Sequence, residues 1–183
     1  ISPDDPTAMT KHLRECIELG LAYAYDVSWQ LARLPADEIT EGVLGCRMLL
    51  VNDYEMSLIT DKTGISETDA RLKDKIVVVT RGEKGATIYS GGRRYDIPVV
   101  PPARQADPTG AGDAFRGGLL RGMSAGWNWD TAGRMGALAA TYCLENVGPQ
   151  NHSYTRAEFV RRYREHFDDG GVLNALLSTD GTD

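Results

Sequence analysis

Asp107 and Asp113 bracket Gly110 and Gly112 in the segment DPTGAGDAF (Asp107–Phe115), immediately ahead of an amphipathic run. Asp107-Pro108 reads as a turn, because proline fixes φ and keeps its predecessor out of the helical region. The two glycines admit dihedrals closed to other residues and let the backbone approach a ligand. The helix they feed begins near Asp113, and its first N–H groups lack partners within the helix. Unpaired donors at the positive end of a helix dipole suit a phosphate or a developing anion. Asp113 itself has two readings. A carboxylate in a first turn is ordinarily a cap or dipole residue worth about 0.3–1 kcal/mol. In an anion-binding turn its charge is self-defeating unless it has a task, and the natural task is to take a proton from a hydroxyl that attacks the bound phosphate. Gly117 and Gly118 each cost about 1 kcal/mol relative to alanine inside a helix, which points to close packing or to ligand contact.

Two more stretches carry chemistry. Asn52 and Glu55 in NDYE follow the apolar run RMLLVN (Arg47–Asn52), and Thr80, Gly82 and Gly85 in TRGEKG follow KIVVVT (Lys75–Thr80). In a doubly wound sheet, ligands gather at the carboxyl ends of the strands, where both stretches fall. Glu55 also reads as a helix-start acid, and TRGEKG as a plain turn. No G-x-x-x-x-G-K-[ST] occurs, which excludes a P-loop enzyme. The dinucleotide fingerprint fails as well, since its third glycine falls at Phe115 and no strand precedes it.

The elements that must hold these residues alternate. TAMTKHLRECIELG has helical spacing, with Pro6 near its start and Gly20 as a stop, and LAYAYDV (Leu21–Val27) reads as a buried strand. ADEITEGVLGC is a short helix leading to RMLLVN, and a helix follows from Asp53 to about Thr63. SETDARLK has a helix-start pattern at Ser66 and Asp69. Apolar strands separated by helices predict a mostly parallel sheet covered on both faces. GATIYS and RRYDIPVV around Gly91-Gly92 predict a hairpin. Helices follow over roughly Asp113–Met123, Asp130–Glu145 and Thr155–Phe167, then a polar tail.

With 183 residues, 42% of them hydrophobic, the chain is expected to form a single domain over 1–183 with its ordered core over about 1–167. Twenty basic residues against 26 acidic ones give a net charge of −6, which argues against nucleic acid as a partner. RRYR (Arg161–Arg164) reads as a solvated helix face. No apolar run is long enough for a membrane span and the start is no signal peptide, so no membrane role is expected. Cys16, Cys46 and Cys143 fit neither a disulfide framework nor a zinc site, and imply reduced cysteines and a cytoplasmic setting.

DPTGAGDAF resembles the C-terminal signature of the ribokinase/PfkB family of carbohydrate and nucleoside kinases. NDYE resembles that family's N-x-x-E motif and TRGEKG its T-x-G-x-x-G loop, in the expected order. The resemblance implies a three-layer α/β/α ribokinase-like fold and transfer of the γ-phosphate of ATP to a primary hydroxyl of a sugar or nucleoside. It implies Asp113 as the base, with the backbone of Gly110, Ala111 and Gly112 as the anion hole. Asn52 and Glu55 would organise Mg²⁺, Thr80, Gly82 and Gly85 would lie along the nucleotide, and Ala137, Ala139 and Ala140 would wall the adenine pocket, with core packing the alternative for each alanine. Asp107, Thr109 and the backbone near Cys143, Asn146 and Gly148 match a monovalent-cation site, with K⁺ as the expected ion. A non-catalytic nucleotide sensor of the same fold is the alternative reading.

The family pattern also includes an N-terminal part of the sheet, a β-sheet lid, and a glycine pair with an aspartate that grips the acceptor. These are missing here, so the chain reads as the C-terminal, nucleotide-binding portion. Alone it is expected to be poorly stable, or to pair with another copy or with the absent N-terminal portion, and to transfer phosphate weakly if at all. VGPQNHSYT leans toward the nucleoside kinases of the family, with His152 read as a surface-loop residue.

Overall fold

Strands form where the sequence is continuously apolar and β-branched, and the helices between them impose parallel order. The computed structural model describes residues 5–178. Its five-stranded sheet has the order β1-β2-β3-β4-β5, with β1 at Ala24–Tyr25, β2 at Met48–Asn52, β3 at Ile76–Thr80, β4 at Ala86–Ser90 and β5 at Arg93–Ile97. β1, β2 and β3 are parallel. β4 and β5 are joined only by Gly91-Gly92, both at positive φ (57° and 72°), as a tight turn between antiparallel neighbours requires. The sheet is therefore mixed and mostly parallel.

The chain divides into two compact units. One runs to Gly82 and takes in Thr87–Tyr95; the other comprises Glu83–Ala86 and the chain from Asp96 onward. In the first, helices α1 (Pro6–Glu18), α2 (Ala36–Gly45) and α3 (Asp53–Thr63) accompany the parallel strands. Met9 and Leu13 of α1, Ile39 and Val43 of α2, and Met56 and Ile59 of α3 share a core with Leu49, Val51, Val77 and Val79. The register sets Asn52 of β2 opposite Thr80 of β3, so two of the candidate loops leave the sheet side by side at its carboxyl edge.

Two local expectations fail in this unit. The run Leu21–Val27 pairs only through Ala24 and Tyr25, because the chain turns at Ser28 (φ 45°) into a 3-10 turn over Ser28–Ala32. The helix start at Ser66 does not propagate. Asp69 caps only a 3-10 turn, Ala70–Leu72, since the stretch between α3 and β3 is too short for a helix to repay its nucleation.

The second unit holds α4 (Ala111–Ser124), α5 (Trp129–Leu144), α6 (Arg156–His166) and α7 (Asn174–Leu177). α4 and α5 pack backbone to backbone. A Cβ on Gly118 would lie 2.7 Å from the Met135 carbonyl, and one on Gly122 2.7 Å from Ala132 Cα. Close packing therefore accounts for Gly118, against a helix rather than a sheet, whereas a Cβ on Gly117 would meet nothing within 4 Å. In place of a polar tail beyond Phe167, Leu173 and Leu176 are buried with Met135, Leu138, Phe159 and Tyr163. Asp169, itself buried, organises that turn by accepting two hydrogen bonds from Arg164 and one from the Leu173 N–H.

Candidate active site

In the first unit the site residues sit on a helix start and on the turn that follows a strand. Asn52 ends β2 and caps α3. Its Oδ1 accepts the Glu55 N–H at 2.7 Å while Glu55 Oε2 accepts the Asn52 N–H at 2.7 Å, a complete capping box. The helix-start reading of Glu55 thus describes its local geometry. Its carboxylate is buried, and Oε1 stays outside the cap. Thr80 ends β3 half-buried, and Gly82 follows at φ 54° with no neighbour within 4 Å of a would-be Cβ.

The turn after β3 is tied down by residues that sequence reasoning missed. Arg81 donates to the Val79 carbonyl (3.1 Å), to Thr87 Oγ1 (2.9 Å) and to Glu67 Oε2 (2.5 Å), and Tyr89 donates to Glu67 Oε1 (2.8 Å). Glu67 lies in the stretch read as a helix, and nothing in its spacing marks it as a partner for Arg81.

Gly85 belongs to the second unit. At φ 84°, a Cβ there would lie 2.1 Å from the Ile97 carbonyl oxygen, so only glycine fits.

The turn that leads into α4 is built from Asp107 to Asp113. Asp107 Oδ1 accepts the Thr109 N–H and Oδ2 the Gly148 N–H, each at 2.9 Å, which ties the turn to the loop after α5. Hydrogen bonds from the Thr109 side chain, and from the N–H groups of Thr109 and Gly148, hold the Asp107 carboxyl below the usual carboxylate range. Gly110 caps α4 at φ 82°, and a Cβ would come within 2.5 Å of Pro149 Cβ. No other residue fits there without moving Pro149.

The Ala111 N–H reaches the Pro108 carbonyl at 3.2 Å, and the first intrahelical bond runs from Ala114 to Gly110. Among the described residues, the N–H groups of Gly110, Gly112 and Asp113 find no acceptor. Asp113 stands in the first turn with its side chain 81% exposed and 3.0 Å from Arg116 Nη1. The i,i+3 spacing of Asp113 and Arg116 was readable as an ion pair.

Ala137 and Ala139 are buried and Ala140 is half-buried on α5. Cys143 is fully buried, and its thiol donates to the carbonyls of Thr109 (3.4 Å) and Pro149 (3.7 Å). Burial, with the negative charges of Asp107 and Asp113 adding to it, pushes that thiol's pKa up and keeps it protonated. All three cysteines are free thiols, and among the described residues no group of three or more His, Cys, Asp or Glu gathers as a metal site.

The turn also has a support behind it. Ala106 and Asp107 donate to the Leu144 carbonyl at 2.8 and 3.3 Å, and the Arg104 Nε to the Glu145 carbonyl at 2.8 Å. The Glu145 carboxylate accepts the Ala103 N–H at 2.6 Å and both terminal nitrogens of Arg162 at 2.6 and 2.8 Å. Arg162 belongs to the run read as a solvated face. Arg161 does remain 70% exposed, but Arg162 is only 16% exposed and lies over the Tyr142 ring. Helical periodicity alone could have separated the two, since adjacent residues point in different directions.

Comparison with known proteins bears on this arrangement. A model of the pfkB family of carbohydrate kinases matches residues 1–156. A nucleoside kinase of Methanocaldococcus jannaschii is 27% identical over 166 residues, or 91% of this chain and 55% of that protein. Its solved structure, described as an archaeal member of the ribokinase family, superposes with a TM-score of 0.82, over 91% of this chain and 55% of that one. A cytidine kinase of Thermococcus kodakarensis is 36% identical over 117 residues, 61% of this chain and 42% of that protein. A Burkholderia thailandensis nucleoside kinase solved with inosine has a TM-score of 0.86 at 38% identity, over 91% of this chain and 55% of that one. The same kinase has also been solved with ADP-inosine. The chain spans about half the length of the relatives it matches. These likenesses bear out the expected ribokinase-like α/β fold.

Proposed function

The chain belongs to the pfkB family of carbohydrate kinases, and from that membership we propose that it serves transfer of the γ-phosphate of ATP to the primary hydroxyl of a nucleoside. The observation that carries this reading is the Asp107–Asp113 turn. Unpaired N–H groups converge at the start of a 14-residue helix beside a carboxylate that is 81% exposed. That combination binds a phosphoryl group and accepts a proton. The nucleoside is preferred to a simple sugar because the M. jannaschii and T. kodakarensis relatives are nucleoside and cytidine kinases, and the B. thailandensis kinase was solved with inosine.

In the reaction, the acceptor hydroxyl gives its proton to the Asp113 carboxylate as its oxygen bonds to the γ-phosphorus. The bond from that phosphorus to the β,γ-bridging oxygen breaks, and ADP leaves. Charge on the transferred phosphoryl oxygens is met by the N–H groups of Gly110 and Gly112, with Ala111 shared with Pro108 and Asp113 adding a fourth donor. Within the second unit, Gly85 is assigned to the nucleotide, and Ala137 and Ala140 are assigned to leave room for a flat base.

Glu55 and Asn52 fit Mg²⁺ in one respect: a buried carboxylate with an oxygen outside the cap suits an ion that keeps several waters and takes one or two carboxylates plus phosphates. When bound, Mg²⁺ supplies neutralisation of the phosphate charge. Asp107, Thr109 and Gly148 fit K⁺ only in part. Each Asp107 oxygen already accepts one N–H, from Thr109 and from Gly148, and the Thr109 carbonyl accepts the Cys143 thiol, so these groups are committed in part to holding the turn itself.

A second reading, nucleotide sensing without transfer, draws on Arg116. Its guanidinium lies 3.0 Å from Asp113 Oδ1 and so engages an oxygen that would otherwise be open to a substrate hydroxyl. The two readings separate when labelled γ-phosphate from Mg-ATP is offered to inosine, cytidine, adenosine and ribose, beside Asp113→Asn. Transfer to a nucleoside that vanishes in the variant while ATP binding persists supports the kinase. ATP binding without transfer in either protein supports the sensor.

A further inference from the structure

We propose that Arg162, far along the chain on α6, is a positioning residue for the anion-binding turn and acts on it through Glu145. The inference rests on the kinase reading for its catalytic consequence, but its geometry lies entirely within the second unit.

The segment from Ala103 to Gly110 has no helix or strand of its own. A chain without a ladder or helical bonds keeps its path only through whatever accepts its N–H groups. Here the acceptors cluster at the C-terminal end of α5: the Leu144 carbonyl takes the N–H groups of Ala106 and Asp107, the Glu145 carboxylate takes that of Ala103, and the Glu145 carbonyl takes the Arg104 side chain through Nε. Glu145 is thus the one side chain that grips the segment where it leaves Pro102.

Glu145 is also an acid at the C-cap of α5, the negative end of the helix dipole, where a carboxylate is disfavoured. It is only 14% exposed, so water screens it little. Arg162 resolves that conflict. Two parallel N–H···O bonds at 2.6 and 2.8 Å form the fork that suits guanidinium and carboxylate planes. The Tyr142 ring, 4.6 Å beneath the guanidinium, holds the fork in place. With Arg162 removed, an uncompensated and nearly buried charge remains beside a helix terminus of like sign. The carboxylate then swings toward water and releases Ala103, and the turn that presents Gly110, Gly112 and Asp113 loses its fixed approach.

Arginine is required, because a lysine ammonium supplies charge without the planar fork. Arg162→Met is therefore expected to be the severe variant and Arg162→Lys an intermediate one.

The test follows amide hydrogen exchange and phosphoryl transfer on the full chain. In Arg162→Met, exchange of the amides from Ala103 to Gly112 is expected to quicken tenfold or more while α1–α3 amides keep their protection. Arg162→Lys should lie between this variant and the parent, which guards against a global folding defect being mistaken for the effect. If the parent transfers phosphate, kcat falls about tenfold in Arg162→Met with KM for ATP within twofold. Unchanged exchange over Ala103–Gly112 overturns the proposal, as does a uniform loss of protection across both units. A parent that transfers nothing removes the kinase reading but leaves the exchange result to decide the positioning role.

Discussion

In the first unit, Asn52 and Thr80 end neighbouring parallel strands in register, and the loops that follow inherit their positions from the sheet's hydrogen-bond ladder. In the second, the turn from Asp107 to Asp113 follows no strand. Its path is held by side-chain carboxylates, Asp107 to Gly148 and Glu145 to Ala103, and by helices that touch backbone to backbone at Gly118 and Gly122. A ladder is redundant, since each residue adds a bond of the same kind. A carboxylate clamp depends on single groups and on their charge. The same contrast separates a capping box such as Asn52–Glu55, complete within four consecutive residues, from the Glu145–Arg162 fork, which joins two helices.

The comparison can be broken first at its chemical end. Asp113→Asn should lower phosphoryl transfer by about 10²–10⁴-fold with ATP affinity nearly unchanged, measured by initial rates and calorimetry. A loss below threefold would make Asp113 a dipole residue after all. Next come the glycine contacts. Gly118→Val drives a branched side chain into the Met135 carbonyl and is expected to destabilise the second unit by about 1–3 kcal/mol in urea unfolding. Gly117→Ala, at a position with no neighbour within 4 Å, should stabilise it by about 0.5–1 kcal/mol.

A cap deletion sharpens the contrast from the other side. Asn52→Ala removes one half of the α3 box and should cost about 1 kcal/mol without changing the β2–β3 register, visible as a lowered unfolding midpoint with sheet amides still protected. The smallest effect is that of pH. The Arg162 fork lowers the Glu145 pKa in the folded state, and the Thr109 side chain with the Thr109 and Gly148 amides lowers that of Asp107. Their stabilisation is therefore complete above the unfolded carboxylate values of about 4 and is lost as pH falls through the folded ones. Stability should be flat from about pH 7 to 5 and decline below about 4, more gently in Arg162→Met.

Much of the first unit was legible beforehand because its determinants are local. Apolar β-branched runs marked β2 and β3, Gly91-Gly92 marked the hairpin, and α3 occupies its expected span, Asp53–Thr63. The failures there were also local: Leu21–Val27 has strand composition but pairs through two residues, and Ser66–Asp69 has a cap pattern without room for a helix. In the second unit the motif residues were legible and their supports were not. Arg162 looked like its exposed neighbour Arg161 although helical periodicity separates the two, and Leu173 and Leu176 looked like part of a polar tail; no linear pattern says that Glu145 lies across from Arg162.

The sequence by itself determined the chemistry available: an aspartate after a glycine turn at a helix start, an N-x-x-E cap, and the parallel order of the strands. Each follows from the dihedral limits, hydrogen-bonding capacity and periodicity of residues close in the chain. Only the tertiary structure decided that Glu145, an acid at the wrong end of its helix, would be neutralised by Arg162 and grip Ala103, and that Gly118 would answer to α5. Those outcomes depend on groups distant in sequence meeting at hydrogen-bond or van der Waals distance, and that proximity exists only once the helices have packed.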